Sequence, residues 1–198
     1  MITTVRKLTA DDNIATVARL IYETNDCLFP VFFNDNKPLA KEVLSRMIEG
    51  DTIYNRNNII VACVDSEIIG IIVINKAPIK IDISAYSDAF EISGALIDDT
   101  FERVLKEYYL PLEGAPDGYF ISCLCVDERF RSQGVGSAML DVLISHLDPS
   151  LDVYIDCAES NARAISVYEA HGFERLFDFD GFDSTPYCKM IKRAMSQD

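Results

Sequence analysis

The sequence predicts a mixed α/β layer fold, built as a single unit over its 198 residues, a length ordinary for one domain. Three observations carry this. Segments whose apolar residues recur at helical spacing alternate with short apolar runs of strand length. One such run, Tyr119 to Val126, is almost unbroken and reads as a central strand covered on both faces. Ahead of it, Ile97, Phe101, Val104, Leu105 and Tyr108 fall at helical spacing where a short turn would suffice, which marks a helical insertion over about residues 78–116.

The remaining elements follow in order. Thr3 to Leu8 reads as a short edge strand, and Thr9 or Asp11 is placed to cap a helix with apolar positions Ile14, Val17, Ala18 and Ile21. Cys27 to Asn36 is aromatic and ends in a polar turn; Pro38 then opens a helix to about Ile48, which Gly50 terminates. Ile59 to Ile74, interrupted by Asp65, Ser66 and Glu67, reads as two strands about a tight turn. Its midpoint charges exclude a membrane span.

Beyond the central strand, Gly134 to Leu147 carries a helical stripe of Val135, Met139, Leu140, Leu143 and Leu147, stopped by Asp148 and Pro149. Leu151 to Cys157 alternates as a strand. A helix follows from about Asn161 to His171, with Ser160 as its expected N-cap and Gly172-Phe173 as its C-terminal signal. Two strands, near Glu174 to Phe179 and Tyr187 to Arg193, close the chain.

Thirty-two acidic against eighteen basic residues leave a formal charge of −14, the wrong sign for a chain that wraps a phosphate backbone, so nucleic acid is not an expected partner. Such a surface attracts an amine or basic peptide but serves solubility equally well. Five of the six cysteines, Cys63, Cys123, Cys125, Cys157 and Cys188, sit in apolar strand-like runs and read as reduced core residues. The opening residues MITTVRKLTADDN lack the apolar stretch of a secretory signal, so a cytoplasmic location is expected. No metal site is expected, and a homodimer is left open.

The segment richest in chemistry runs from Cys123 to Ser137, a buried strand leading through a basic, glycine-bearing loop into a helix. Helix N-termini expose unpaired N–H groups and a partial positive charge, and Gly134 and Gly136 let a phosphate approach the backbone. Arg131 adds a cation. Two rival phosphate motifs fail on the letters. The P-loop needs a lysine after its glycine, and none follows Gly134 or Gly136; the dinucleotide fingerprint needs a third glycine where Met139 stands.

Arg131, Gly134 and Gly136 meet the Arg/Gln-x-x-Gly-x-Gly/Ala pattern, and this stretch resembles the acyl-CoA pyrophosphate loop of the GNAT superfamily of N-acetyltransferases. Downstream, Asn161-Ala-Arg-Ala-Ile-Ser-Val-Tyr-Glu-Ala-His-Gly-Phe173 resembles that family's Asn-x-x-Ala-x-x-x-Tyr-x-x-x-Gly-Phe element at the expected spacing. Asn161 and Tyr168 stand seven residues apart, about two turns, and so leave one helix face. The resemblance implies a central mixed, mostly antiparallel sheet flanked by helices. It also implies acetyl-CoA as cosubstrate, held by Leu124, Cys125, Val126, Arg131, Ser132, Gln133, Gly134, Val135, Gly136, Ser137, Asn161 and Tyr168.

Direct transfer to an amine within a ternary complex is the implied chemistry. Tyr168, with an ordinary phenol pKa of about 10, stays protonated at neutral pH and suits the general acid that quenches the departing thiolate. The resemblance also implies that the central strand splays at Leu124 to Val126 and that the N–H near Val126 polarises the thioester carbonyl. The base has no single owner: Glu23, Asp26, Glu91, Asp127, Glu128 and Glu159 are candidates. His171, ahead of a helix-ending glycine, reads as structural. Cys123 and Cys125 share a strand face but have no flanking cation to activate them, and so read as packing. Asp98, Asp99 and Glu102 of the insertion are candidates to draw in a cationic small-molecule or peptide amine. The competing class is an acyl-CoA-binding regulatory or partner-binding module without turnover; retention of Tyr168 favours the enzyme.

Overall fold

A computed structural model describes residues 3–25, 27–181 and 184–195. The elements are β1 (Thr4–Lys7), α1 (Ile14–Tyr22), α2 (Leu28–Phe32), α3 (Lys37–Glu49), β2 (Ile59–Val64), β3 (Glu67–Lys76), α4 (Ile83–Ile92) and α5 (Asp99–Val104). They continue as β4 (Tyr119–Val126), α6 (Val135–His146), β5 (Val153–Ala158), α7 (Ala162–Ala170), β6 (Glu174–Asp180) and β7 (Pro186–Lys192). The strands form one sheet in the order β1-β2-β3-β4-β5-β7-β6, antiparallel throughout except where β4 lies parallel to β5. The predicted mixed, mostly antiparallel sheet flanked by helices is the one observed.

Two apolar layers cover the sheet. One face carries α1 to α5, whose aromatic residues Phe29, Phe32, Phe33, Phe90, Phe101 and Tyr109 pack as a cluster of rings. The other carries α6 and α7 through Val135, Met139, Leu140, Leu143, Tyr168 and Phe173. Gly70 on β3 sets how closely α6 lies, since a Cβ there would stand 2.9 Å from Met139 Sδ and 3.1 Å from the Cys125 carbonyl oxygen.

Local chemistry corrects several sequence expectations. Asn13 caps α1 by accepting from the Thr16 N–H, while Thr9 joins Asp12 in the preceding turn and Asp12 clamps Arg6. Asn161, not Ser160, caps α7. The insertion holds two helices rather than one. Tyr86, Ala89 and Phe90 bury the inner face of α4. α5 begins only after Asp98, which caps it, so Ile97 lies outside the helix and is exposed. Past Val104 the chain widens into a π-helical turn and then a tight 3-10 turn ending at Gly114.

The sheet opens at its centre because β4 carries one extra residue. On the β3 side Val73 pairs with Cys123 and Ile74 with Ile121, so Ser122 is bulged. The strand alternation slips there: Phe120 and Cys123 both face the α1–α5 layer, while Ile121 and Leu124 face α6. On the other side, β4 pairs with β5 only from Tyr119–Val153 to Ile121–Ile155. Beyond the bulge the two strands part. A buried polar ladder supports the irregularity, with Asn58 Nδ2 donating to Asn75 Oδ1 at 2.9 Å and Asn75 Nδ2 donating to Ser122 Oγ at 2.9 Å.

Replacing Asn75 with alanine strands Asn58 and Ser122 without that buried partner. Asn75→Ala is expected to destabilise the fold by about 1–3 kcal/mol, read as a lower urea midpoint with an unchanged slope. An unchanged midpoint would show that the ladder does not hold the bulge.

Candidate active site

A cavity of about 930 Å³ occupies the gap between the parted strands. Its walls are Ser122 to Leu124 of β4, Tyr154 to Ala158 of β5, Asn161 and Tyr168 of α7, the insertion from Arg103 to Pro116, and the aromatic end of the β6–β7 pair. The insertion therefore lines the cavity, but through Arg103, Glu107, Tyr108, Pro111 and Leu112. Asp98, Asp99 and Glu102 are not among the lining residues.

Tyr168 is buried and faces the gap among Cys123, Cys125 and Cys157. Burial, the largest effect, and those sulfurs raise its pKa above the ordinary phenol value, so it is protonated at neutral pH. Its hydroxyl makes no hydrogen bond to any described residue. α7 is anchored at both ends: Asn161 Oδ1 accepts from the Ala164 N–H at 3.1 Å, and Phe173 N donates back to the Tyr168 carbonyl at 3.1 Å past Gly172, whose φ is +83°. The cap uses only the amide oxygen of Asn161, leaving its Nδ2 at the cavity wall.

The same cavity rules on the thiols. Burial pushes Cys123 up to about 12, Cys125 to about 11 and Cys157 to about 12. Arg131 lies close enough to oppose the shift at Cys125, yet burial dominates. None is a thiolate at neutral pH. His171 is held by its helix, with Nδ1 at 2.6 Å from the Val167 carbonyl, in keeping with a structural role.

The loop between β4 and α6 keeps its backbone open and its donors unspent. Gly134 has φ +78° and a Cβ there would meet nothing within 4 Å, so the backbone needs glycine and the space above it is open. A Cβ on Gly136 would make ordinary contacts at 3.8 Å with Leu124 and Val126. The backbone N–H groups of Ser132 through Ser137 donate to no described group. Val135 buries its side chain, and Gln133 braces the loop by donating to the Arg129 carbonyl at 3.1 Å. Arg131 Nε donates to the Val126 carbonyl at 2.9 Å, so its guanidinium lies over the end of β4.

The base candidates scatter. Asp127 is buried and held by Arg19 Nη2 at 2.6 Å, Arg129 Nε at 2.9 Å and the Arg129 backbone N–H. These keep its carboxyl well below the usual range, so it is a clamp joining the end of β4 to α1. Glu23 pairs with Arg19 and Glu128 is exposed, both along a separate depression outside the large cavity. Glu159 pairs with Arg175, and Glu91 lies exposed on α4. Asp26 falls outside the described residues. Among the described residues, the carboxylates that do line the cavity are Glu107, Asp156 and Asp180. Burial, and after it Cys123 and Asp156, raise the pKa of half-buried Tyr108, and Asp156 pairs with Lys189 at 2.8 Å. The signal for Asp156 was present in the sequence, as a carboxylate inside an otherwise apolar strand.

The sheet is thus parted beside its parallel pair, and a glycine-bearing loop with unspent N–H groups opens the next helix. A family model described as "Acetyltransferase (GNAT) family" matches residues 18–173, and the chain belongs to that family. It is 36% identical over 61 residues to a spermine/spermidine N(1)-acetyltransferase of Bacillus subtilis, a stretch covering 28% of this chain and 40% of that protein. A solved N-acetyltransferase from Staphylococcus aureus superposes with a TM-score of 0.70 at 17% identity, covering 95% of this chain and 99% of that one. The structure of a NatC complex bound to Gag peptide and CoA matches with a TM-score of 0.58 at 15% identity, over 99% and 100% of the two chains. Among the described residues no helix is long and apolar enough to cross a membrane.

The Asp127 clamp sets a pH signature. A carboxyl whose pKa is lower folded than unfolded adds stability above about pH 4 and loses it as pH falls through its folded value. Asp127→Asn is expected to cost about 2 kcal/mol at neutral pH, with the difference from the parent shrinking below about pH 4 in urea melts. A difference independent of pH would show that the charge is not what holds the clamp.

Proposed function

We propose that this protein transfers the acetyl group of acetyl-CoA to a primary amine by direct attack in a ternary complex. The observation that carries the reading is the unpartnered, protonated Tyr168 hydroxyl in the gap between β4 and β5. The anion loop supports it by supplying Arg131, the Ser132–Ser137 backbone N–H groups and the open space over Gly134 for a pyrophosphate. Leu124 lines the gap, and it and the next two residues of β4, Cys125 and Val126, suit the pantetheine arm. The NatC relative was solved with CoA, and the Bacillus relative is named for polyamines, which makes spermine and spermidine the first acceptors to assay.

In this reading the amine nitrogen attacks the thioester carbonyl carbon. A backbone N–H near Val126 stabilises the oxygen anion that forms. As the C–S bond breaks, Tyr168 gives its proton to the sulfur. The proton lost by the amine goes to Asp156, directly or through one water, because Asp156 is the cavity carboxylate on the strand that faces β4. Glu107 and Tyr108 form the opposing wall from the insertion. A neutral phenol next to the leaving sulfur is what a site for turnover needs, and simple binding gives it no task.

Two variants separate these roles. Tyr168→Phe is expected to lower kcat by roughly 10²-fold with little change in the Kd for acetyl-CoA, since the hydroxyl matters chiefly as thiolate forms. An unchanged kcat in an assay limited by chemistry would assign Tyr168 to packing alone. Asp156→Asn is expected to lower kcat/KM for the amine by at least about 10-fold, again with acetyl-CoA affinity preserved. If thiol release from acetyl-CoA with an amine panel runs at the parental rate in Asp156→Asn, the base is another group.

A further inference from the structure

The arginines of this chain divide sharply by partner. Arg6, Arg19, Arg46, Arg56, Arg103, Arg129, Arg175 and Arg193 each lie within 4.0 Å of a carboxylate. With thirty-two acidic residues to eighteen basic ones, that is the expected state of a cation. Arg131 and Arg163 are the exceptions: neither has a carboxylate partner among the described residues. They come from different elements, the β4–α6 loop and the first turn of α7. Arg163 reaches the same loop as Arg131: its Nη2 donates to Ser132 Oγ at 2.6 Å, one residue along the chain from Arg131.

Ser132 sits in the left-handed region at φ +65°, two residues ahead of the left-handed Gly134. The stretch between them carries the unpaired N–H groups already described. Arg163 is exposed and uses one of its donors on Ser132, so the rest of its guanidinium fork faces the loop and solvent. Two guanidinium groups without a carboxylate partner, on or reaching a loop whose backbone N–H groups are unspent, in a chain that pairs its other arginines, suit a ligand with more than one phosphate charge.

We infer that Arg163 is a second phosphate-binding cation of the cosubstrate site, standing beside Arg131 and tying α7 to the loop. This rests on reading the loop as the acetyl-CoA site. Arg163 then binds the pyrophosphate or the 3′-phosphate of the same molecule, and it couples occupation of the loop to the helix that bears Tyr168.

The test is calorimetric binding of CoA, 3′-dephospho-CoA and pantetheine to the parent, Arg163→Gln and Arg163→Lys, with thermal melts to confirm folding. Arg163→Gln is expected to weaken CoA at least about 10-fold, a change of about 1.4 kcal/mol, and to reduce the salt dependence of binding. Arg163→Lys should recover part of the loss, and pantetheine, which has no phosphate, should bind all three proteins alike. A loss that persists with 3′-dephospho-CoA assigns Arg163 to the pyrophosphate; one that disappears assigns it to the 3′-phosphate. The inference is overturned if Arg163→Gln binds CoA as the parent does, or if it loses pantetheine by the same factor, which would mark a purely structural brace. A parent that binds no CoA at all would instead overturn the acetyl-CoA reading of the loop.

Discussion

Inserting one residue into a strand that is paired on both sides forces a choice, because the hydrogen-bond ladders on its two edges cannot both keep register. β4 resolves this at Ser122. It keeps its antiparallel ladder with β3 as far as Val126 and gives up β5 after Ile121. The cavity, the exposure of the far half of β4 toward it, and the position of Tyr168 opposite the β4 cysteines all descend from that asymmetry. The Asn58–Asn75–Ser122 ladder is the part of the core that makes the asymmetry stable, since it satisfies polar groups that the irregular backbone would otherwise leave buried.

Electrostatics then divides the molecule by task. Most of the arginines are spent on staples, of which Arg6–Asp12 beside β1 and the Arg19–Asp127–Arg129 group at the end of β4 are the most buried. These hold the strand end and the start of the loop, so the loop's own donors remain unspent. The opposite rule governs the large cavity, where burial keeps phenol and thiols neutral. Under the proposed function, the open loop with its unspent donors would hold the phosphate tail while acyl chemistry proceeds beside the neutral phenol and thiols.

How legible this was from sequence depended on whether the signal was local. Tyr119–Val126, α6 and the Gly172 helix stop were read to within a residue or so, because strand length, helical stripe and capping glycine are properties of short windows. The loop and the Tyr168 helix were legible as motifs for the same reason. Ser122 was not: a bulge inside an apolar run leaves no mark on composition, and only pairing with β3 reveals it. The misplacement of Asp127 as a base has the same origin, since its partners Arg19 and Arg129 come from a distant helix and an adjacent turn. Ile97 was drawn into a helix by periodicity alone, when Asp98, a capping residue at the right place, was the better boundary signal.

The brief parallel pairing of β4 with β5 also bears on how the protein comes apart. Everything from β5 onward is contiguous in sequence and joins the rest of the sheet through Tyr119–Ile121 and the contacts of α7 with α6. β5, β7 and β6 are, by contrast, laced to one another along nearly their whole lengths. The C-terminal strands and α7 share an apolar cluster with β2, β3 and α6, yet along the sheet they meet β4 only through that short pairing, so the parted end of β4 and β5 is where local opening starts. A ligand that spans the gap bridges the two strands. Its binding energy then acts on the seam where native-state opening begins, so that occupancy governs the lifetime of the folded chain against proteolysis as well as its catalytic readiness.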